Sequence, residues 1–356
     1  MERPEGRGGQ HPRLGGVATA VPPYRLEQGE ARKLAAGLFR SSLPDLDRLL
    51  TVFGNSQIEV RYLSQPLEWY GRPHSFAESN ARYREVALEL AHQASRRALE
   101  RSAVPSEEVG LVLFVSTTGF STPSLDARLI QELGLPAQTG RMPIWGLGCA
   151  GGVSGLGRAA ELARAVPGRT VLLVTVELCS LTFQHGDYSK SNLIAASLFG
   201  DGAAAALLGI GGKGPEIHGH YSVLLPDSAE VMGWDLVETG LKVRFSRNIP
   251  ALIRQHLPDL LLKACRSWGL PREAIRHFVL HPGGAKVLEA YAQALGVPED
   301  QLEIAYQVLR QYGNISSASV LFVLERFLKS VPRSGQFGVI MAFGPGFSAE
   351  QVLFKW

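Results

Sequence analysis

The segment Trp145–Ala163, WGLGCAGGVSGLGRAAELA, is compatible with two different chemistries. Gly146, Gly148 and Gly151 satisfy G-x-G-x-x-G, the turn that holds a dinucleotide pyrophosphate at a helix start, yet Cys149 stands inside it. A dinucleotide site needs a buried strand feeding the first glycine. The approach here is GRMPIW, short and broken by Pro143, which lacks a ladder donor. Its one support is Glu177, ending the strand-like TVLLVTVE where a ribose-binding acid could stand. A nucleophile turn, by contrast, uses every residue. Gly146 and Gly148 permit a sharp turn, while Ala150, Gly151, Gly152 and Ser154 leave space beside the sulfur. A helix start also favours the reactive thiolate. An ordinary packing cysteine would leave the flanking glycines without a purpose. Cys179, after an apolar strand, and Cys265, inside an apolar helical stretch, read as that ordinary kind.

A thiolate working at neutral pH gains from a nearby imidazole. His218 and His220, in HGH, would face one side of a strand, but no third ligand accompanies them and no metal site is expected. His281 ends the apolar run HFVL and precedes Pro-Gly-Gly, which sets its ring at the mouth of a loop, a good position for a functional group, with capping an equal alternative. Asn314, in QYGNISSASV, opens a helix whose next residues are small, and N-capping is the ordinary role there.

The elements that must position these residues occur twice. VPSEEVGLVLFVSTT (104–118) and LPREAIRHFVLHPG (270–283) each turn at a proline and enter a short apolar strand. LFGDGAAAALLGI (198–210) and AFGPGFSAEQVLF (342–354) close the two halves alike, each after a helix opened by small residues, one following Cys149 and the other Asn314. Two similar α/β halves imply stacked layers with helices on both faces of the sheets. The expected division is a flexible lead-in at 1–14, a first half at 15–210 and a second at 211–356, with GIGGKGPE (209–216) as the boundary. A helix with N-cap candidates Ser79 and Asn80 runs on through Val86, Leu90, Ala94 and Ala98.

Composition narrows the function classes. With 356 residues and 45% hydrophobic content the core is ample, and a net charge of +3 from 36 basic and 33 acidic residues suggests neither nucleic acid nor a membrane surface. Three cysteines make no disulfide framework, which fits a reducing compartment. No apolar run reaches the length of about 18 residues a spanning helix needs, and MERPEGRGGQHPRLGG has no signal-like apolar core, so a cytoplasmic protein is expected.

WGLGCAGG, LFGDGAAAALL, MGWDLVETGLKV, FVLHPGG, YGNISSASVLFVLE and AFGPGFS, in that order over roughly residues 15–356, resemble the type III polyketide synthases, the chalcone/stilbene synthase family, in its bacterial branch. The resemblance implies a thiolase-like five-layered αβαβα sandwich of two related halves and a homodimer. It implies that Cys149 carries an acyl chain taken from an acyl-CoA starter, with His281 and Asn314 as catalytic partners. Decarboxylative Claisen condensation with malonyl-CoA would extend the chain before it cyclises. CoA thioesters would be the substrates, with no metal or redox cofactor. Phe199 matches a residue between substrate tunnel and cavity. Gly344, Pro345 and Gly346 match a cavity-shaping loop. Thr117, Cys179, Thr182 and Ser316 match cavity positions, and Gly283 belongs with them through the Pro-Gly-Gly turn. Bacterial members commonly take fatty acyl-CoA and release alkylpyrones or alkylresorcinols.

The chain departs from the plant members at three places. Val243 stands where they carry a second gatekeeping phenylalanine, and Thr122 replaces a methionine that reaches across their dimer interface. Their basic cluster for the CoA phosphates is poorly reproduced, leaving Arg48 and Arg61 as candidates. Two other assignments compete. Ketoacyl-acyl carrier protein synthase III usually follows its histidine with Gln-Ala-Asn, where Pro282, Gly283 and Gly284 stand here. A non-catalytic acyl-CoA-binding relative would not be expected to retain Cys149, His281 and Asn314 together.

Overall fold

Two strands buried on both faces form the middle of the first half. In Thr170–Leu178, Leu172, Val174 and Val176 face one side while Val171 and Leu173 face the other. Asp201–Gly209 divides in the same way, with Ala203, Ala205 and Leu207 opposite Ala204, Ala206 and Leu208. Such strands require helices on both sides. The computed structural model describes residues 11–40, 43, 45–165, 168–210, 213–330 and 335–356. Residues 1–10 of the expected lead-in and 211–212 of the expected boundary lie outside the described residues.

Nine strands hydrogen-bond in the order Ile275–Leu280, Phe337–Gly344, Ser348–Lys355, Glu216–Leu224, Arg13–Ala20, Asp201–Gly209, Thr170–Leu178, Val109–Val115 and Gly140–Ile144. The two arms join where Arg13 pairs with Glu216, flanked by backbone hydrogen bonds from Leu14 to Pro215 and from Ile217 to Pro12. Outward from that joint, each arm has two antiparallel pairings followed by parallel pairing, two such pairs in the first arm and one in the second. The sequence repeat is therefore also a repeat of strand order and direction.

Helix Phe76–Ser102 covers the outer face of the first arm. Helices Gly151–Ala165 and Ser319–Lys329 lie between the arms and touch both. Helix Ile249–Ser267, packed on Ala285–Leu295, lies beyond the second arm. These are the five layers of a thiolase-like αβαβα sandwich. A side layer of helices Gln28–Phe39 and Leu46–Asn55 rests on helix Lys190–Leu198 and has its own core around Phe39 and Phe53.

Two local expectations are corrected. The first strand begins at Arg13, inside the presumed lead-in, because it pairs with Gly209 at the end of Asp201–Gly209. The long helix is capped by Ser75, not by Ser79 or Asn80. The Ser75 hydroxyl accepts from the Glu78 backbone N–H while the Glu78 carboxylate accepts from the Ser75 N–H, a reciprocal capping box. Asn80 instead bonds the backbone of Phe120.

The two central helices approach most closely where they begin. A Cβ at Gly152 would stand 2.1 Å from the Ser317 carbonyl oxygen and 2.9 Å from Val320 Cγ1. Gly152→Ala must therefore push the halves apart. It is expected to cost about 1–3 kcal/mol of unfolding free energy by urea denaturation, in line with overpacked cores, and an unchanged midpoint would disprove the tight crossing.

Candidate active site

Cys149 sits at the crossing of the two halves. The chain leaves the sheet at strand Gly140–Ile144, which is short, exposed and at the sheet edge, so the buried strand a pyrophosphate turn needs is missing. Gly146 and Gly148 turn it with φ of 90° and 45°, where a side chain is strained. A single 3-10 turn, Gly148–Ala150, leads into helix Gly151–Ala165 and leaves Cys149 half-buried. Thr117 fixes the turn by accepting the Gly148 N–H at 3.1 Å. The loop Gly344, Pro345 and Gly346 lies directly on it, and a Cβ at Gly148 would come 2.8 Å from the Pro345 ring.

Asn314 reaches the same point from the second half. Its backbone pairs across the halves with Leu198 and Gly200, at 2.9 and 3.0 Å, so that Phe199 and Asn314 form a parallel bridge. Asn314 Oδ1 accepts the Ser316 N–H at 2.8 Å, and Nδ2 donates to the Gly283 carbonyl at 3.3 Å. Both side-chain atoms lie 4.0 Å from Cys149 Sγ, and Ser316 Oγ lies at 3.8 Å. Ser316 has φ of 46°, a left-handed conformation unfavourable for serine. His281 follows strand Ile275–Leu280 directly, donates its backbone N–H to the Met341 carbonyl, and is 3 % exposed. A tight turn from His281 to Gly283 brings its ring against Gly283, whose carbonyl holds Asn314. Cys149 and Asn314 thus meet directly, while His281 joins them through Gly283.

The local electrostatics differ from the sequence expectation, in which a helix start alone favours the thiolate. Burial pushes the Cys149 thiol up to about 11 against the Ser316 and Asn314 hydrogen bonds, with nearby Glu177 pushing the same way. Burial also pulls the His281 imidazole down to about 3, and neither ring nitrogen has a hydrogen-bond partner among the described residues. Each charge alone is disfavoured in so dry a site.

The remaining expected positions form two groups. Thr117, Gly283, Ser316, Gly344, Pro345 and Gly346 surround the cysteine turn. Cys179, Thr182, Phe199 and Val243 instead line a narrow, mainly apolar cavity of about 70 Å³ that extends to Leu34, Leu38 and Phe39 of the side layer. The Phe199–Asn314 bridge joins the groups. Of the two arginines considered for CoA phosphates, Arg48 is exposed and paired with Asp45, whereas Arg61 is buried and cannot meet a phosphate at the surface.

Glu177 has a role the sequence did not suggest. Its carboxylate accepts from the Thr117 and Thr118 N–H groups, at 3.0 and 3.1 Å, from the Thr118 hydroxyl at 2.8 Å, and from the Ser317 hydroxyl at 2.6 Å. It fastens the halves together beneath the sulfur. A carboxylate closing a nine-residue buried strand was the available signal, since such a group must find donors.

Residues 72–212 match the N-terminal domain and residues 216–356 the C-terminal domain of chalcone and stilbene synthases. A putative chalcone synthase of Bacillus subtilis is 45% identical over 96% of this chain and 97% of its own length. A 1,3,6,8-tetrahydroxynaphthalene synthase of Streptomyces peucetius is 38% identical over 96% and 92%. The solved 1,3,6,8-tetrahydroxynaphthalene synthase of Streptomyces coelicolor, a bacterial type III polyketide synthase, superposes with a TM-score of 0.92 at 30% identity, over 97% of this chain and 99% of that one. The fold and these matches define a condensing enzyme. The chain belongs to the chalcone and stilbene synthase family and is a type III polyketide synthase.

Burial raises the Glu177 carboxyl from its ordinary 4.5 to about 7, despite its hydrogen bonds. A folded pKa above the unfolded one adds stability that is fully present below pH 4.5 and lost as pH rises through about 7. Glu177→Gln has no such proton to lose, so it should gain on the wild type from pH 5 to pH 8, by at most about 1.4 kcal/mol per pH unit. Urea midpoints that differ by a constant amount across this range would rule out the titration.

Proposed function

We propose that this synthase loads a fatty acyl group from acyl-CoA onto Cys149, extends it with malonyl-CoA, and cyclises it to an alkylpyrone or alkylresorcinol. The observation that carries the reading of the chemistry is the meeting of Cys149 with Asn314 across the two halves. The fatty chain is supported by the mainly apolar lining of the cavity beyond Phe199. Val243 contributes a smaller wall than phenylalanine would.

The starting proton sits on the thiol. Transfer to His281 creates two opposite charges together, and their attraction is strong in the same dry setting that disfavours each one alone. The Cys149 sulfur then adds to the acyl thioester carbonyl. The CoA sulfur leaves and takes the proton from His281. In malonyl-CoA the bond to the carboxylate breaks, CO2 departs, and the electron pair spreads onto the thioester oxygen. A ring N–H of His281 and Nδ2–H of Asn314 hold that oxygen, each such donor being worth about 2.7–4 kcal/mol. The enolate carbon attacks the acyl carbon on Cys149 and returns the sulfur as thiolate. Acyl-CoA and malonyl-CoA supply all the atoms, so the chemistry calls for no metal or redox cofactor.

The two halves, 15–210 and 211–356, then have distinct tasks, one carrying the nucleophile and the other the oxyanion donors. No helix of the described residues is long and apolar enough to cross a membrane, which suits a cytoplasmic enzyme. A homodimer is supported by the edge strand Gly140–Ile144 and by Met142 and Trp145, exposed beside the groove that includes Thr122.

Cys149→Ala is expected to abolish the mass increase seen after incubation with acyl-CoA. Asn314→Ala should still load acyl groups but decarboxylate malonyl-CoA about 10²–10³-fold more slowly; equal loss of both steps would refute the division of roles. For the proton transfer, iodoacetamide alkylation of Cys149 should titrate at higher pH in His281→Ala than in the wild type, because the thiol then has only its burial-raised pKa. Identical pH profiles would exclude the pair.

A further inference from the structure

Among the described residues, the lining of the cavity beyond Phe199 includes one charged side chain, Arg61, which is 2 % exposed. Its stem rises from strand Val60–Leu63 and passes Gly313, where a Cβ would come 2.9 Å from Arg61 Cδ. Nη1 donates to the carbonyls of Ala196 and Phe199, at 2.7 and 2.8 Å, and caps the end of helix Lys190–Leu198. Nε and Nη2 are buried and have no hydrogen-bond partner among the described residues. These two nitrogens share one edge of the planar guanidinium, the fork that matches two oxygens at once. The group remains cationic at neutral pH, since burial lowers its pKa only to about 10 while Asp201 opposes the shift. Asp201 balances the charge through space without occupying the fork. Its carboxylate accepts from the Ser64 N–H at 2.7 Å, the Ser180 N–H at 2.8 Å and the Ser180 hydroxyl.

A saturated acyl chain would leave this fork unmet, and buried unmet donors are costly. Each condensation places a carbonyl two carbons from the last. After two rounds the chain carries a 1,3-diketone, whose enol or enolate holds both oxygens on one side, much as a carboxylate does. We propose that the free edge of Arg61 binds the paired oxygens of the growing polyketide, so that Arg61 is a positioning residue that sets how many condensations precede release. The inference rests on the cysteine-bound extension proposed above. The starter has no such oxygen pair, so the interaction arises only after extension.

The test uses the full chain carrying Cys149→Ala, which prevents turnover, and two stable probes, the pantetheine amides of dodecanoic acid and of 3,5-dioxododecanoic acid. Calorimetry should show the dioxo probe binding at least tenfold more tightly. Adding Arg61→Lys, which keeps a cation but removes the fork, should reduce that preference below twofold while the dodecanoyl probe still binds. Equal affinities before the arginine is changed would overturn the proposal, however the lysine variant folds, and so would a preference that survives in Arg61→Lys. In the chain with Cys149 intact, Arg61→Lys should shift products from one fatty acyl-CoA toward fewer malonyl units, and an unaltered product length would overturn the positioning role. Failure of the chain with both Cys149 and Arg61 intact to form an acyl-enzyme would instead count against the proposed function, and the binding comparison would still report on Arg61.

Discussion

The contact between the beginnings of the two central helices governs the geometry of this molecule. Gly152 meets the backbone of Ser317 with no room for a methyl group, and the sulfur and the amide lie on either side of that contact. The distance between Cys149 and Asn314 is therefore set by backbone packing, not by flexible side chains. Catalytic arrays need this precision, because misplacement by about an ångström is expensive. The outer layers, with helix Phe76–Ser102 on one side and Ile249–Ser267 on the other, bury the remaining sheet faces.

Dryness has opposing effects at this site. The same burial that raises the thiol and lowers the imidazole would strengthen their attraction once both are charged. Glu177 shows the structural side of this balance. Its carboxylate is costly to bury, and the four donors around it come from both halves, so the joint beneath the sulfur depends on groups far apart in the chain.

Much of this was legible in the sequence because it depends on local chemistry. The glycines around Cys149, the Pro-Gly-Gly after His281 and the small residues after Asn314 each state a backbone requirement within a few positions. The repeat supplied the pairing of halves, and the matched strand order bears it out. Features that depend on distant partners were not legible. Glu177 is held in part by Ser317, 140 positions away. Arg61 looked like a surface cation because the carbonyls that accept from it, those of Ala196 and Phe199, belong to another element. Ser75 is not marked as the cap by the sequence pattern, because the long apolar row of the helix begins well after its first turn.

The Phe199–Asn314 bridge has a bearing on how such an enzyme diversifies. Phe199, a wall of the cavity, and the amide proposed to hold the oxyanion are neighbours on paired main chains, held by two hydrogen bonds of about 3 Å. Any widening achieved by shifting that stretch of main chain would drag the amide out of register. New specificities in this lineage are thereby steered toward changes of bulk at individual wall positions, while the ribbon that bears them stays where it is.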